Sequence, residues 1–539
     1  MAPNQSRAGA REPGAEFSRR ALERALVLAT GAAVLSRGRS LVPRTPQDQT
    51  LITTGAGLMG AAAGALTEGA TSALGRLVPG GRKGATALLT GLALGGLAWA
   101  RRRGTAPAAA ETSARVLLVS SLGGEIALEA YARLPGAQRS GLADRAWTTA
   151  LAAASGFGAL RQRLAEPRDL VKAGIHYDFL PTVSGGPGSL LPLANLDREG
   201  RKFLGCAVPA SRIDEVMGGN GAVDPVRVYA GLGSAPTPAE RARLAVEELA
   251  RLGGLTRRRI MFFCPTGAGY VNPVAAEAEE LLSRGDVASV VVQYSNQRAN
   301  RAFKYLSLAR ETWHALLTEL DSRLDAIPAE SRPEVVVYGE SLGAWVVAEA
   351  LAERGVRTLD TFRIARGVLI GLPFAGGQTL RAVRDRGEPL PEGLGVFAEL
   401  DELQALPAAE RERLRYLIFT HAEDPIANFS GLRLLWERPP WLKREGRHRR
   451  LPAEMRWLPG ITYLQLLFDL KNASSFTVEF DAYAHDYRPE LPTLLRVALG
   501  HADASDEQLQ AIEEETARSV VRQAEREARA RVGRGARAV

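Results

Sequence analysis

Residues 335–351 read V-V-V-Y-G-E-S-L-G-A-W-V-V-A-E-A-L, and the fold turns on how that stretch divides. Val335–Tyr338 is the β-branched and aromatic run of a buried strand. From Leu342 onward the composition shifts to Ala, Leu and Glu, which favours helix. Between them, G-E-S-L-G fits G-x-S-x-G and is the one match in the chain. A serine on so sharp a strand-to-helix turn must take a strained backbone, and flanking glycines let the two elements pass without side-chain clashes. Its hydroxyl then stands above the sheet edge, where the helix dipole and the amide of Leu342 favour negative charge. Ser341 is therefore the candidate nucleophile. The plainer alternative is one more serine in a glycine-rich chain.

Outward from this stretch the same texture repeats. Apolar runs at 226–232, 259–265, 288–295, 365–374 and 414–420 alternate with helical patterns at 238–252, 273–284, 301–326 and 342–354. Runs apolar on both faces and separated by helices predict an α/β fold, a mostly parallel sheet covered on both sides. Loops after the strand C-termini are where such sheets hold their sites.

A serine hydroxyl needs a base to take its proton, and the base needs an acid to orient it. The order expected for a nucleophile on this kind of turn is Ser, then Asp or Glu, then His. Asp424, four residues past the strand-like "LRYLIFT", is the candidate acid, with Glu423 the runner-up. His485, in "YAHDY", is the candidate base, with His501 the runner-up. His421 precedes Asp424 and fits the order badly; His314 and His448 lie in surface-like stretches. Oxyanion donors are expected from the N–H of Leu342 and from "FFCPTGAGYVNP", where the small residues Gly267 and Ala268 leave backbone amides open to substrate. The alternative for that loop is a plain turn.

A chain of 539 residues predicts two or more domains, and 46% hydrophobic residues suffice for a sizeable core. Cys206 and Cys264 form neither a zinc framework nor a disulfide scaffold, so no metal or cofactor is expected. Residues 1–166 hold 20 Arg/Lys against 10 Asp/Glu, while the remainder is close to neutral. That local surplus suits anionic headgroups; no nucleic-acid-binding signature accompanies it. Charge-free apolar stretches at Ala25–Ser36, Leu51–Thr67 and Gly84–Ala100 are candidate membrane spans, with Val116–Tyr131 and Trp147–Leu160 weaker. Gly60–Gly64 and Gly91–Gly95 supply GxxxG spacings for close helix approach. Positive residues on alternating sides nearly balance, so orientation is not set by the positive-inside rule. The domains expected are a flexible 1–20, a helical membrane domain 21–165, a sheet domain 166–500 and a charged, solvated helix 501–539. Residues 427–480, with three tryptophans and "ITYLQLLF", interrupt the sheet domain as an insertion: a lid, a membrane-resting face or a helical addition packed on the core.

The blocks "VRVYAGLGSA", "PTGAGYVNP", "VVQYSNQ", "VVVYGESLGAW", "THAEDPIANF", "LLWERPPWL", "MRWLPGITYLQ" and "AHDY" together resemble the actinobacterial-type membrane α/β-hydrolases. The resemblance covers roughly residues 205–500, and residues 20–165 in character. It implies an N-terminal multi-helix membrane domain, a C-terminal α/β-hydrolase domain, and a triad falling on Ser341, Asp424 and His485. It also implies a multi-pass protein of a bacterial inner membrane. The family loop more often reads T-G-T-G-W and V-D-P, where this chain has Ala268, Tyr270 and Asn272; a glycine often precedes the histidine, where Ala484 stands. The expected activity is hydrolysis of a carboxylic ester with a lipid-like or apolar acyl group, the bilayer and that ester being the partners. Rival readings are acyl transfer with the same triad and a non-catalytic membrane binding protein. Oligomeric state, acyl length and membrane side have no signal in the sequence.

Overall fold

Strands β1 (Val226–Ala230), β2 (Arg259–Cys264), β3 (Val287–Val292), β4 (Glu334–Glu340), β5 (Ile364–Ile370), β6 (Leu394–Phe397) and β7 (Tyr416–Phe419) form one sheet in the computed structural model of the chain. Their order is β1-β3-β2-β4-β5-β7-β6, and every pairing is parallel. The structure describes residues 13–103, 114, 116–126, 129, 133, 177–297, 303–354, 357–385, 387, 391–443, 445–473 and 483–535. The expected segment Trp147–Leu160 lies outside the described residues, as do His176 and residues 1–12 of the expected flexible terminus.

The chain divides into two compact units: Met1–Pro167 with Phe429–Asn472, and Arg168–Asn428 with Ala473–Val539. The second is the sheet unit. Every residue of β1, β2 and β3 is buried, which is why their sequences are unbroken apolar runs rather than alternations. Side chains still alternate between faces: Val336 and Tyr338 join one core, Val335 and Val337 the other. β6 was not anticipated. Its "LGVF" is four residues long, sits at the sheet edge and exposes Val396, so it lacks the apolar signal of an inner strand. The helix Asp506–Gly535 is not simply a solvated one, because Ile512 and Thr516 are fully buried and Glu515 pairs with Arg212.

The first unit is helical. α1 (Pro13–Leu35) lies against α2 (Pro46–Gly75), and α3 (Gly81–Arg103) returns along α2. Gly60 and Gly64 permit the approach: a Cβ on Gly64 would stand 2.8 Å from Ala25 Cα, and one on Gly60 would enter the Leu28 carbonyl. Gly91 and Gly95, by contrast, have open space where a Cβ would go among the described residues, so that second spacing closes no contact there.

Among the described residues, α2 is the one helix long and apolar enough to cross a bilayer, so the multi-pass expectation is not supported. The reason lies in composition. α1 carries Glu16, Arg19, Arg20, Glu23 and Arg24 before its short apolar run. The apolar part of α3 is closed off by Arg82 and Lys83 on one side and three arginines on the other.

Residues Phe429–Asn472 belong to this helical unit rather than to a domain spanning 166–500. Asp469, on the helix Ile461–Ala473, accepts hydrogen bonds from Ser40 Oγ (2.7 Å) and Leu41 N (3.0 Å) in the α1–α2 loop. Asp48 at the start of α2 accepts from Lys471 Nζ (2.6 Å) and Asn472 Nδ2 (3.0 Å). Leu41 is buried with Leu434, Leu442, Leu451, Met455 and Leu466 in a small core of its own. Deeper in the unit, Arg24 and Glu68 are both fully buried, with Arg24 bonded to Glu125 (2.5 Å) and Arg82 to Glu68 (2.9 Å).

Candidate active site

β4 delivers Ser341 to the C-terminal edge of the sheet, and the helix Leu342–Arg354 begins at the next residue. Ser341 has φ of 56°, a left-handed backbone that costs a side-chain-bearing residue about 1–2 kcal/mol. Surrounding structure enforces it: Ser341 N donates to Ile370 O (2.9 Å) at the end of β5, and Ser341 O accepts from Trp345 N (3.1 Å) in the helix. The two motif glycines are obligatory. A Cβ on Gly339 would lie 2.8 Å from Ala344 N, and one on Gly343 would overlap the Cys264 carbonyl at the end of β2. The serine itself is partly exposed while Leu342, Gly343 and Ala344 are buried.

Asp424 and His485 meet across 61 residues of sequence: His485 Nδ1 lies 2.6 Å from Asp424 Oδ2. Asp424 is fully buried in the turn after β7, and Ile426 N donates to its Oδ1 (2.8 Å). Tyr487 OH donates to Oδ2 as well (2.6 Å) and accepts from His421 N (3.2 Å). His485 is brought to the same side of the sheet as Ser341. A Cβ on Gly371, the residue after β5, would stand 2.6 Å from His485 Cε1, and the preceding residue, Ile370, accepts the Ser341 amide. Burial disfavours the charged imidazole, but Asp424, then Glu340 and Asp486, outweigh it, so the His485 pKa is raised.

The runner-up base is excluded by position. His501 Nε2 sits 2.8 Å from Glu279 and 2.7 Å from Arg259, which opens β2, so it lies at the opposite edge of the sheet. Glu423 is buried, but the imidazole contact goes to its neighbour Asp424. His421 serves as a brace: Nδ1 lies 2.9 Å from Ala484 O and Nε2 2.6 Å from Glu490, with its ring stacked on Tyr487. Ala484 has φ of 57°, a conformation that glycine adopts without strain. His314 bonds to Thr318 on its own exposed helix face.

The expected oxyanion loop follows β2 as a tight turn, with Gly269 N donating to Thr266 O (2.8 Å) and Thr266 N to Tyr270 O (3.0 Å). Gly269 is at φ 81° and packs so closely on Tyr229 OH and Gln293 that no Cβ fits. The Gly267 carbonyl is held by Ser295 Oγ and by Gln297 N (3.0 Å). Because C=O and N–H of a trans peptide point opposite ways, the Ala268 N–H is turned away from β3. Among the described residues, the amides of Gly267, Ala268 and Leu342 donate to no protein acceptor.

Several residues of this arrangement escaped the sequence reading. Glu340, beside Ser341, is buried and accepts from Tyr338 OH (2.7 Å) and Asn272 Nδ2 (3.0 Å), tying the serine turn to the residue that caps the helix after the loop. Tyr487 and Gly371 were equally unmarked, although Tyr487 is two residues from His485 and Gly371 follows the strand next to β4. No group of three or more His, Cys, Asp or Glu among the described residues has the arrangement of a metal site.

A family model described as the alpha/beta-hydrolase family matches residues 226–512. No curated protein and no solved structure matches the chain.

Proposed function

The chain belongs to the α/β-hydrolase family, and on that premise we propose that it is a membrane-anchored serine hydrolase of carboxylic esters. The observation that carries the reading is the left-handed Ser341 on the strand-to-helix turn, whose amide bonds to Ile370, beside a buried Asp424–His485 pair that packs on the next residue, Gly371. In the proposed reaction His485 takes the Ser341 proton at Nε2 as Oγ bonds to the acyl carbon. Asp424 holds Nδ1 protonated and stabilises the imidazolium. The amides of Leu342, Gly267 and Ala268 are the donors available to the tetrahedral oxyanion. Collapse breaks the bond to the leaving alcohol, which takes the proton from Nε2. Water, deprotonated by the same nitrogen, then releases the acid and restores Ser341.

A lipid-like or apolar acyl substrate follows from the company the site keeps in one chain: α2 as a candidate span and a helical unit with exposed leucines at 22, 58, 66, 77, 88 and 92. The test is labelling of the full chain in membranes with a fluorophosphonate. Wild type should label, and Ser341→Ala and His485→Ala should not, with circular dichroism confirming that each is folded. Undiminished labelling of Ser341→Ala would refute the assignment.

A further inference from the structure

The segment Phe429–Asn472 has features that catalysis does not use. Between Arg433 and Arg456 it carries eight Arg/Lys against three Glu, a surplus of five in 24 residues. Arg438, Lys443, Arg449 and Arg456 are exposed, and so are Leu432 and Trp436. The positive charge converges instead of spreading out. Arg447 donates to the carbonyls of Pro452 and Met455, which fixes its guanidinium close to its neighbours. Burial, and next the charges of Arg438 and Arg456, push its pKa down. Two buried donors here, Arg447 Nε–H and Trp441 Nε1–H, have no acceptor among the described residues. Like charges held together beside unmatched donors favour an anion rich in acceptors.

Placement on α2 identifies the kind of anion. The helix Ile461–Ala473 covers only the first part of α2: Lys471 and Asn472 hold Asp48, Leu464 packs on Gly55, and Gly460 meets Met59. From Leu58, which is 61% exposed, α2 runs on to Gly75 with Leu66 75% exposed. Those residues rise about 27 Å, close to the ~30 Å of a bilayer's hydrocarbon core. The basic segment therefore sits on the part of the helical unit that adjoins the length of α2 left uncovered by the helix Ile461–Ala473. Exposed Trp and Leu beside exposed Arg and Lys are the composition of a surface lying at headgroup level.

We infer that Phe429–Asn472 is a docking surface for anionic phospholipid headgroups, gripping their phosphates with Arg438, Arg447 and Arg456. The inference rests on the membrane-anchored reading above. Each basic residue near an anionic surface strengthens binding about fivefold, so removing three weakens it roughly 100-fold. The surface is sensitive to salt, because exposed charges are screened within about 10 Å at 0.1 M and about 3 Å at 1 M.

The test uses the full chain carrying Leu432→Cys and Cys206→Ser, labelled with an environment-sensitive NBD dye and reconstituted into vesicles. Phosphatidylglycerol vesicles should shift NBD emission to the blue, and phosphatidylcholine vesicles should not. The shift should vanish in 1 M NaCl and in Arg438→Gln/Arg447→Gln/Arg456→Gln, with an unchanged circular-dichroism melt showing that this variant folds. A single Arg456→Gln at an exposed position should raise the phosphatidylglycerol fraction at half-maximal shift. Equal emission in both lipids, or a full shift in the triple variant, overturns the proposal. A shift caused by a soluble acidic peptide or an oligonucleotide, but not by vesicles, overturns it in favour of another polyanion. Alkaline carbonate extraction separates the two levels. A chain that stays in membranes with an unresponsive dye fails the headgroup proposal alone, whereas a chain that is extracted fails the anchoring on which it rests.

Discussion

Gly371→Ala is the sharpest probe of the proposed catalytic geometry, because it adds one methyl group outside the proposed Ser–His–Asp set. Its Cβ would lie 2.6 Å from His485 Cε1, 2.8 Å from Tyr487 Cε2 and 3.1 Å from His485 Nδ1, where ordinary contact is 3.4–4 Å. Relief requires the imidazole to move by about 1 Å, and a misplacement of that size costs on the order of 100-fold in rate. Gly371 also has φ of 59°, so alanine adds backbone strain of about 1–2 kcal/mol. For a unit of this size that lowers the melting temperature by roughly 2–8 °C. The assay is hydrolysis of p-nitrophenyl butyrate together with the rate of fluorophosphonate labelling. The expected result is a fall in kcat of about 100-fold with little change in KM. Gly377→Ala is the control: it lies in the helix Phe374–Asp385 with no described residue within 4 Å of its Cβ, so activity should hold. A Gly371→Ala enzyme that melts lower but turns over at the wild-type rate would show that His485 is not the base.

Other expectations follow from the same contacts. Asp424→Asn should cut kcat by about 10⁴-fold, because the amide can donate to Nδ1 and favour the wrong tautomer, while fluorophosphonate labelling slows in parallel. The pH profile of kcat/KM should lose activity on acidification above the ordinary histidine range, since the base must be neutral and the His485 pKa is raised; Glu340→Gln removes one cause and should move that limb to lower pH. Ala484→Gly should raise the stability of the sheet unit by about 0.5–1 kcal/mol, the left-handed strain removed exceeding the added freedom of the unfolded chain, and thermal denaturation reads it. Burial raises the Asp469 pKa to about 6 despite Ser40 and Arg44. A carboxyl that binds its proton more tightly when folded contributes stability below its unfolded value and loses it as pH rises through about 6, so the helical unit should melt higher at pH 4.5 than at pH 7.5.

The sheet was legible because parallel strands buried on both faces leave unmistakable apolar runs, and β1–β5 and β7 coincide with such runs to within a few residues. β6 was not, since an edge strand with one residue of its four buried carries almost no hydrophobic signature. Ser341 was legible because its backbone strain demands glycines at fixed offsets. His485 and Asp424 were singled out by chain order and by their place after an apolar run, but nothing local showed that they touch. Tyr487, Glu340 and His421 stayed hidden because their contacts join residues far apart in the sequence, and such pairings exist only once the sheet closes. The grouping of Phe429–Asn472 with the first helices was invisible for the same reason: Asp469 and Ser40 are separated by 429 positions. Composition misled most in the N-terminal region, where runs of Ala and Gly read as spans although α1 and α3 carry charges that exclude them from the same class as α2.

The lattice of Arg24, Glu68, Arg82 and Glu125 bears on how the helical unit is assembled. Arg24 belongs to α1, Glu68 to α2 and Arg82 to α3, so each of these three buried or half-buried charges finds its partner on another helix. An isolated α2 entering a lipid phase would bring a naked carboxylate with it, and a lone α1 an unmatched guanidinium. Each becomes tolerable only beside the others. These four charges are matched in full only when the three helices pack together, so a chain cut between α2 and α3, which leaves Glu68 with Arg24 alone, should hold its helical unit less stably even though its most apolar helix is intact.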